Sequence, residues 1–466
     1  MISPLGRRSF LGMGSAGLSG LLGGCVGENP FDVDEAPGWN VRLGILAPES
    51  GAFERYGRDM TDCLSLLGAQ LEAADTDFGL DYQLIDTETD PETAVAGAQT
   101  LIEDEGFEIL IGPYLEECVV AVLDDVSLDA EVPLISPLAG AGMQERRTLD
   151  DDDETGIGFS LAPDAVHIGQ GFNRLADMNR WDSIAVIHTD GIYGTRLTDE
   201  ALGEFELRGI DTSVVIEVPE AAEEIDVTGI LDEVDEASVD GLALASNRAQ
   251  AEELLSEYLG EYDPVPMLMH DRLRDPELSE VVGADLDDAW AIGISQLHEQ
   301  RGIEELEEAV EEAEEEEDVE GTITWEHRGE DVQFDPLGAF HNAFPELTGR
   351  EPSVTVAQTF DALIIGMLAV VQAGEALYEG RHIAGAVERV AAAPAGMTED
   401  VGRYGVTDWY AGIGEIGGGI TNDYLGASGD VSFNDSRGTR SEPVLNAVTW
   451  DEEAVGGFRE THPIPL

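Results

Sequence analysis

The chain has 466 residues with 98 acidic against 23 basic side chains, a formal net charge of −75, and no lysine at all. That balance excludes nucleic-acid recognition, which needs clustered Lys or Arg to neutralise phosphates, and at low ionic strength it favours expansion by self-repulsion. In molar salt the screening length falls to about 3 Å and the same surface becomes tolerable, while 42% apolar residues in periodic runs argue against disorder as the source of the charge.

In chain order, Arg7-Arg8-Ser9-Phe10-Leu11 opens a glycine-rich apolar run that closes on Leu22-Gly23-Gly24-Cys25. A twin arginine ahead of such a segment resembles the export signal of routes that carry folded proteins. The Leu-Gly-Gly-Cys ending resembles a lipobox, whose cleavage leaves Cys25 as a lipidated N-terminus. Leu11 to Gly24 is too short and too rich in glycine to span a bilayer as a stable helix. Residues 1–25 therefore read as a signal, and 26–40, polar, acidic and containing Pro and Gly, as a tether. The mature chain is expected on the extracellular face of the cell membrane.

From Val41 onward, β-rich runs alternate with helical periodicity. Val41–Ala47 reads as a buried strand, and Arg55 to Ala73 as a helix. Tyr82–Asp86 is a strand, Glu92–Glu105 a helix, and Glu108–Ile111 and Val132–Ser136 are strands around a helix through Val119–Val126. A second series places strands at Ser183–His188, Ser213–Val218 and Gly241–Ala245, with a helix carrying Ala251, Leu254, Leu255, Tyr258 and Leu259 on one face. Such alternation predicts parallel sheets covered by helices on both faces, and two series predict two similar α/β lobes. Length agrees with two or three domains of ~150 residues. Cys63 and Cys118 fall on the apolar stripes of two predicted helices and read as buried small hydrophobes, not as a bridge. Gly302–Asp318, with its Glu-Glu repeats, reads as a solvated helix or insertion. Val356–Val371 has core helical spacing, Gly412–Gly419 reads as a loop, and no apolar run is expected to reach the ~18–20 residues of a membrane span.

Several motifs then fall in a familiar order. Gly44-Ile45-Leu46-Ala47-Pro48-Glu49-Ser50-Gly51 is followed by Tyr56-Gly57. Ile111-Gly112-Pro113 and Val132-Pro133-Leu134-Ile135-Ser136-Pro137 come next, then Asp190-Gly191-Ile192-Tyr193-Gly194. Thr359-Phe360-Asp361-Ala362 and Gly426-Ala427-Ser428-Gly429-Asp430-Val431-Ser432-Phe433 close the set. From about Val41 to Phe458 the chain resembles the type I periplasmic binding proteins, specifically the branched-chain-amino-acid-type receptors of ABC importers. Its acidic, lysine-free surface resembles the haloarchaeal kind. The resemblance implies an α/β fold of two doubly wound parallel-sheet lobes with strand order 2-1-3-4-5 and three hinge crossings, near Gly158–Ala162, Trp290–Ile294 and Asn422–Ala427. Lobe 1 would comprise 41–158 plus 293–423, and lobe 2 159–292 plus 424–466. Ligand would lie beyond the carboxyl ends of the strands, held by lobe closure.

In this family lobe 1 holds an amino acid's carboxylate with small hydroxyls and backbone N–H groups, and a lobe-2 acid holds the ammonium. Carried over, Tyr56 and Tyr193 correspond to the closing tyrosines and Asp271 to the ammonium-binding acid. Ser50, Ser246 and the turn Leu138, Ala139, Gly140 complete the expected set. Lobe 1 departs from the pattern: Leu115-Glu116 stands where small hydroxyls are usual. With Glu116 and Asp271 both in the cleft, the ligand is expected to carry a positive group; the classes expected are an amino acid, an amine or a neutral amide. The partners implied are that small molecule, an ABC permease with its ATPase, and the membrane through the lipid anchor, with no cofactor or metal. A sensor receptor of the same fold is the alternative. The eight histidines show no HExxH pattern, and neither Ser50 nor Ser136 sits in a Gly-x-Ser-x-Gly elbow, so no enzyme is expected.

Overall fold

The computed structural model describes residues 40–73, 78–140, 156–220, 225–273, 289–294, 355–374, 380–391, 401–404, 421–424, 445–450 and 458–464, with short pieces between them. The signal with Cys25, the tether up to residue 39, the acidic run 302–318 and the loop 412–419 lie outside the described residues.

The first sheet is built from β1 (Asn40–Ala47), β2 (Gly79–Asp86), β3 (Leu110–Ile111), β4 (Leu134–Ser136) and β5 (Gly158–Ser160). It is wholly parallel in the order β2-β1-β3-β4-β5. In β1 the alternate residues Val41, Leu43 and Ile45 join one core, whereas Leu46 joins another on the opposite face. Helices α1 (Glu54–Ala73), α2 (Pro91–Gln99) and α3 (Glu116–Val122) follow β1, β2 and β3. Asp90 caps α2 by accepting the Thr93 N–H at 2.8 Å, with Pro91 in the first turn.

The second sheet has the order β14-β13-β10-β9-β8-β6-β7. Its parallel part comprises β6 (Ile184–Thr189), β7 (Val215–Val218), β8 (Gly241–Ala245), β9 (Met267–Met269) and β10 (Ala289–Ile294). β13 (Leu445–Trp450) and β14 (Phe458–Ile464) extend it antiparallel beyond β10. Helices α4 (Ala165–Asn179) and α5 (Ile192–Arg208) pack on one face, and α6 (Val227–Ala237) and α7 (Arg248–Glu261) on the other. Asp164 and Asn247 cap α4 and α7.

Helix α8 (Val356–Ala373) returns to the first lobe and lies against α1 and α9 (Gly380–Ala391). Contrary to the sequence expectation, α8 is long and apolar enough to cross a membrane, with a mean hydropathy of 1.6, but 94% of it is buried in the lobe core. Burying each of its Leu, Ile and Phe side chains contributes roughly 1.5–3 kcal/mol. A small parallel pair, β11 (Val401–Tyr404) and β12 (Thr421–Tyr424), adjoins α9.

Among the described residues the chain passes between the lobes after β5, after β10, and between Phe433 and Leu445. The last passage is later than Asn422–Ala427. Tyr424, Ala427, Val431 and Phe433 belong to the first lobe's core, because Asp361 of α8 accepts hydrogen bonds from Tyr424 Oη, Ala427 N and Ser428 N and Oγ at 2.6–2.8 Å. Cys63 and Cys118 are free thiols in cores on opposite sheet faces.

A polar cleft between the lobes

Every loop at the cleft leaves the carboxyl end of a strand, where a doubly wound sheet opens for ligands. Gly112 makes one such exit possible: its φ is +88°, and a Cβ there would sit 2.0 Å from the Leu46 carbonyl oxygen. Gly194 makes another, since a Cβ would meet Thr189 Oγ1 at 2.4 Å.

The facing loops enclose a cavity of about 50 Å³. Its first-lobe wall is Phe53, Arg55 and Tyr56 after β1, and Leu115, Glu116 and Glu117 after β3. Tyr56 is buried, stacked on Tyr114 with centroids 5.6 Å apart, and met edge-on by Phe53. The Arg55 guanidinium lies 4.6 Å over the Tyr56 ring and donates to its hydroxyl.

The second-lobe wall is Thr189, Tyr193 and Gly194 at and after the end of β6, Glu220 after β7, Ala245 to Arg248 at and after the end of β8, and His270, Arg272 and Leu273 after β9. Tyr193 is held between the His270 ring, 5.2 Å away and roughly edge-on, and the Arg272 guanidinium, 3.4 Å from its centroid. Burial pushes the His270 pKa down to about 3, so the imidazole is neutral. Its Nδ1 accepts the Arg272 N–H at 3.2 Å, which leaves Nε2–H to donate to the Ser246 carbonyl at 3.0 Å. A neutral ring also makes the 4.0 Å approach of His270 to Asp271 something other than an ion pair.

The lobes are joined across the cleft by carboxylates at the start of α3. Arg272 Nη2 donates to Glu116 Oε1 at 2.8 Å and to the Leu138 carbonyl at 3.1 Å. Glu116 also accepts the Gly140 N–H at 3.0 Å and is 1% exposed. Burial works against the Arg272 charge, but Tyr193, Glu116 and Asp271 more than offset it and raise its pKa. Glu117 accepts the Ile192 N–H of α5 at 2.9 Å, serving a helix start whose Gly191 cap has no side chain to do so. Glu220 accepts from the Thr189 hydroxyl; burial first, then the charge of Glu117, raise its pKa.

Of the residues singled out from sequence, Tyr56, Glu116, Tyr193 and Ser246 line the cavity. The Ser246 hydroxyl is buried there with no hydrogen-bond partner among the described residues. Ser50 turns away, its N–H and hydroxyl donating to Asp86 at 3.2 and 2.8 Å. Leu138, Ala139 and Gly140 stand behind the wall, and two of their N–H groups are consumed internally: Ala139 N by Ser136 Oγ at 2.9 Å, and Gly140 N by Glu116. Asp271 is 7% exposed and off the cavity wall, accepting the Tyr193 hydroxyl at 3.4 Å; burial raises its pKa. The sequence reading missed Arg272, His270 and Glu220. Among the described residues, no group of three or more His, Cys, Asp or Glu side chains is placed to hold a metal.

A family model described as periplasmic binding protein matches residues 40–262. No curated protein matches the chain by sequence. Among solved structures, a leucine binding protein from Thermotoga maritima is 15% identical with a TM-score of 0.65, over 91% of this chain and 98% of that one. An ABC transporter solute binding protein from R. palustris in complex with benzoate is 13% identical with a TM-score of 0.66, over 91% and 96%. An ABC transporter substrate-binding protein from Desulfitobacterium hafniense in complex with Leu is 13% identical with a TM-score of 0.63, over 91% and 100%. The likeness establishes the architecture: the chain has the type I periplasmic binding protein fold.

Proposed function

We propose that this chain is an extracellular, lipid-anchored solute-binding protein of an ABC importer. It captures a small polar molecule, an amino acid or similar, between its lobes and delivers it to the permease and its ATPase. One observation carries this reading: strand-end loops of both sheets line a single cavity, into which the buried Ser246 hydroxyl brings an unused hydrogen-bonding group. A molecule touching both walls favours the closed arrangement, and closure is what a permease would recognise. The solved relatives that hold leucine or benzoate support it. The twin-arginine and lipobox motifs supply the export route and the anchor at Cys25, and the −75 charge suits molar salt of the haloarchaeal kind. Binding takes place without turnover of the solute.

Thermal-shift screening of the mature chain in molar salt tests the reading. A ligand at 100 times its Kd stabilises by about 2.7 kcal/mol, a shift of several degrees. A library of metabolites that leaves the melting temperature unmoved would refute it, as would chemical conversion of a bound compound. For delivery, deletion of the gene is expected to abolish uptake of the bound solute. Altered gene expression with uptake intact would point instead to a sensor.

A further inference from the structure

The three guanidinium groups on the cavity wall are already engaged: Arg55 with Tyr56, Arg248 with Glu252 at 3.4 Å, and Arg272 with Glu116. Glu116 takes two donors suited to a small carboxylate, the Gly140 N–H and one edge of Arg272. Beside this neutralised pair, Glu117 and Glu220 line the same cavity, with an N–H and a hydroxyl as their hydrogen-bond donors. A ligand carboxylate at Arg272 would have to displace Glu116 and leave it buried without its counter-charge, at a cost on the order of 10²- to 10³-fold in affinity. An ammonium or amide N–H group, by contrast, meets acceptors at Glu117, Glu220 and the Ser246 hydroxyl.

Resting on the solute-binding reading, we infer that Glu116 is a resident carboxylate occupying the donors a ligand's carboxylate would use. Together with Arg272 it makes the cleft selective for small organic amines or amides without a carboxylate. Its presence corrects the sequence expectation for this end of the cleft, since Glu116, paired by Arg272, attracts no further cation; the attraction comes from Glu117 and Glu220.

Calorimetric titration of matched sets decides it: amino acids, their amides and their decarboxylated amines, with benzoate and benzamide added, in molar salt. The wild type is expected to bind the carboxylate-free member at least tenfold more tightly than its acid. Glu116→Ser, which frees Arg272 and the Gly140 N–H, is expected to reverse that ratio. Glu116→Gln keeps the shape and an acceptor for Gly140, and serves if the serine variant does not fold; it is expected to narrow the ratio. Tighter binding of the acid by wild type, or a ratio unchanged in both variants, overturns the inference and leaves the solute-binding reading standing. If no member of any set binds wild type or folded variant, the inference falls, and the wider metabolite screen decides the parent reading separately.

Discussion

Asp361 and Glu116 are both buried carboxylates of the first lobe, and they are satisfied in opposite ways. Asp361 receives donors from Tyr424, Ala427 and Ser428, all from its own lobe. Glu116 has its charge met by Arg272, which belongs to the other lobe. Folding alone satisfies the first carboxylate, whereas the second keeps its Gly140 N–H within the lobe and meets its cation only while the lobes are shut. A buried acid supported from within reports on stability, and one supported from across a hinge reports on conformation.

The largest expected effect breaks the internal case. Asp361→Ala strands several buried donors at once and is expected to cost about 4 kcal/mol of unfolding free energy. Denaturant titration in molar salt measures it, and a loss below about 1 kcal/mol would show that the Asp361 hydrogen bonds do not hold the lobe together. Next is His270. Its pKa falls from 6.5 in the unfolded chain to about 3 in the fold, so its contribution is complete above pH 6.5 and lost as the pH drops toward 3. His270→Gln is expected to flatten that acid branch relative to wild type; parallel pH–stability curves would count against a buried neutral imidazole.

The cross-cleft case is sharper in shape than in stability. Arg272→Met removes the cation that faces Glu116, but opening the cleft hydrates the carboxylate, so the unfolding cost is expected to stay near about 2 kcal/mol while small-angle scattering shows a larger radius of gyration. Adding Glu116→Leu is expected to recover compactness. A single variant as compact as wild type would contradict this. Smallest is Tyr193→Phe, which removes one long 3.4 Å hydrogen bond and keeps the ring under Arg272. Less than 1 kcal/mol is expected in thermal denaturation, against a larger loss for Tyr193→Leu.

Strand-and-helix alternation made the two sheets legible, because a buried parallel strand leaves an apolar run that few other structures produce. Tyr56 and Tyr193 were legible through the resemblance, each standing before a glycine, Gly57 or Gly194, where a Cβ would strike Pro48 O or Thr189 Oγ1. Arg272 was not, since the family pattern points to the acid beside it and its own partner, Glu116, lies in the other lobe. Asp271 to Leu273 forms a 3₁₀ turn, in which adjacent side chains diverge by about 120°. Arg272 and Leu273 reach the cavity wall, whereas Asp271 turns behind it to accept the Tyr193 hydroxyl. The available signal was compositional: in a chain with 23 basic residues among 466, an arginine directly after a strand end merits attention. Glu116 was read for its charge, but its partner lay 156 residues away and across a hinge, a distance that sequence periodicity does not encode.

The second sheet is completed by β13 and β14, whose residues 445–464 are the last of the described chain to leave the ribosome. Until they arrive, β10 has a bare edge able to pair with any passing strand. Strands β6 to β10 are therefore made well before the sheet can close, and a nascent chain threaded across a membrane as it was made would expose that edge on the far side. A translocation route that waits for the finished fold avoids the exposure.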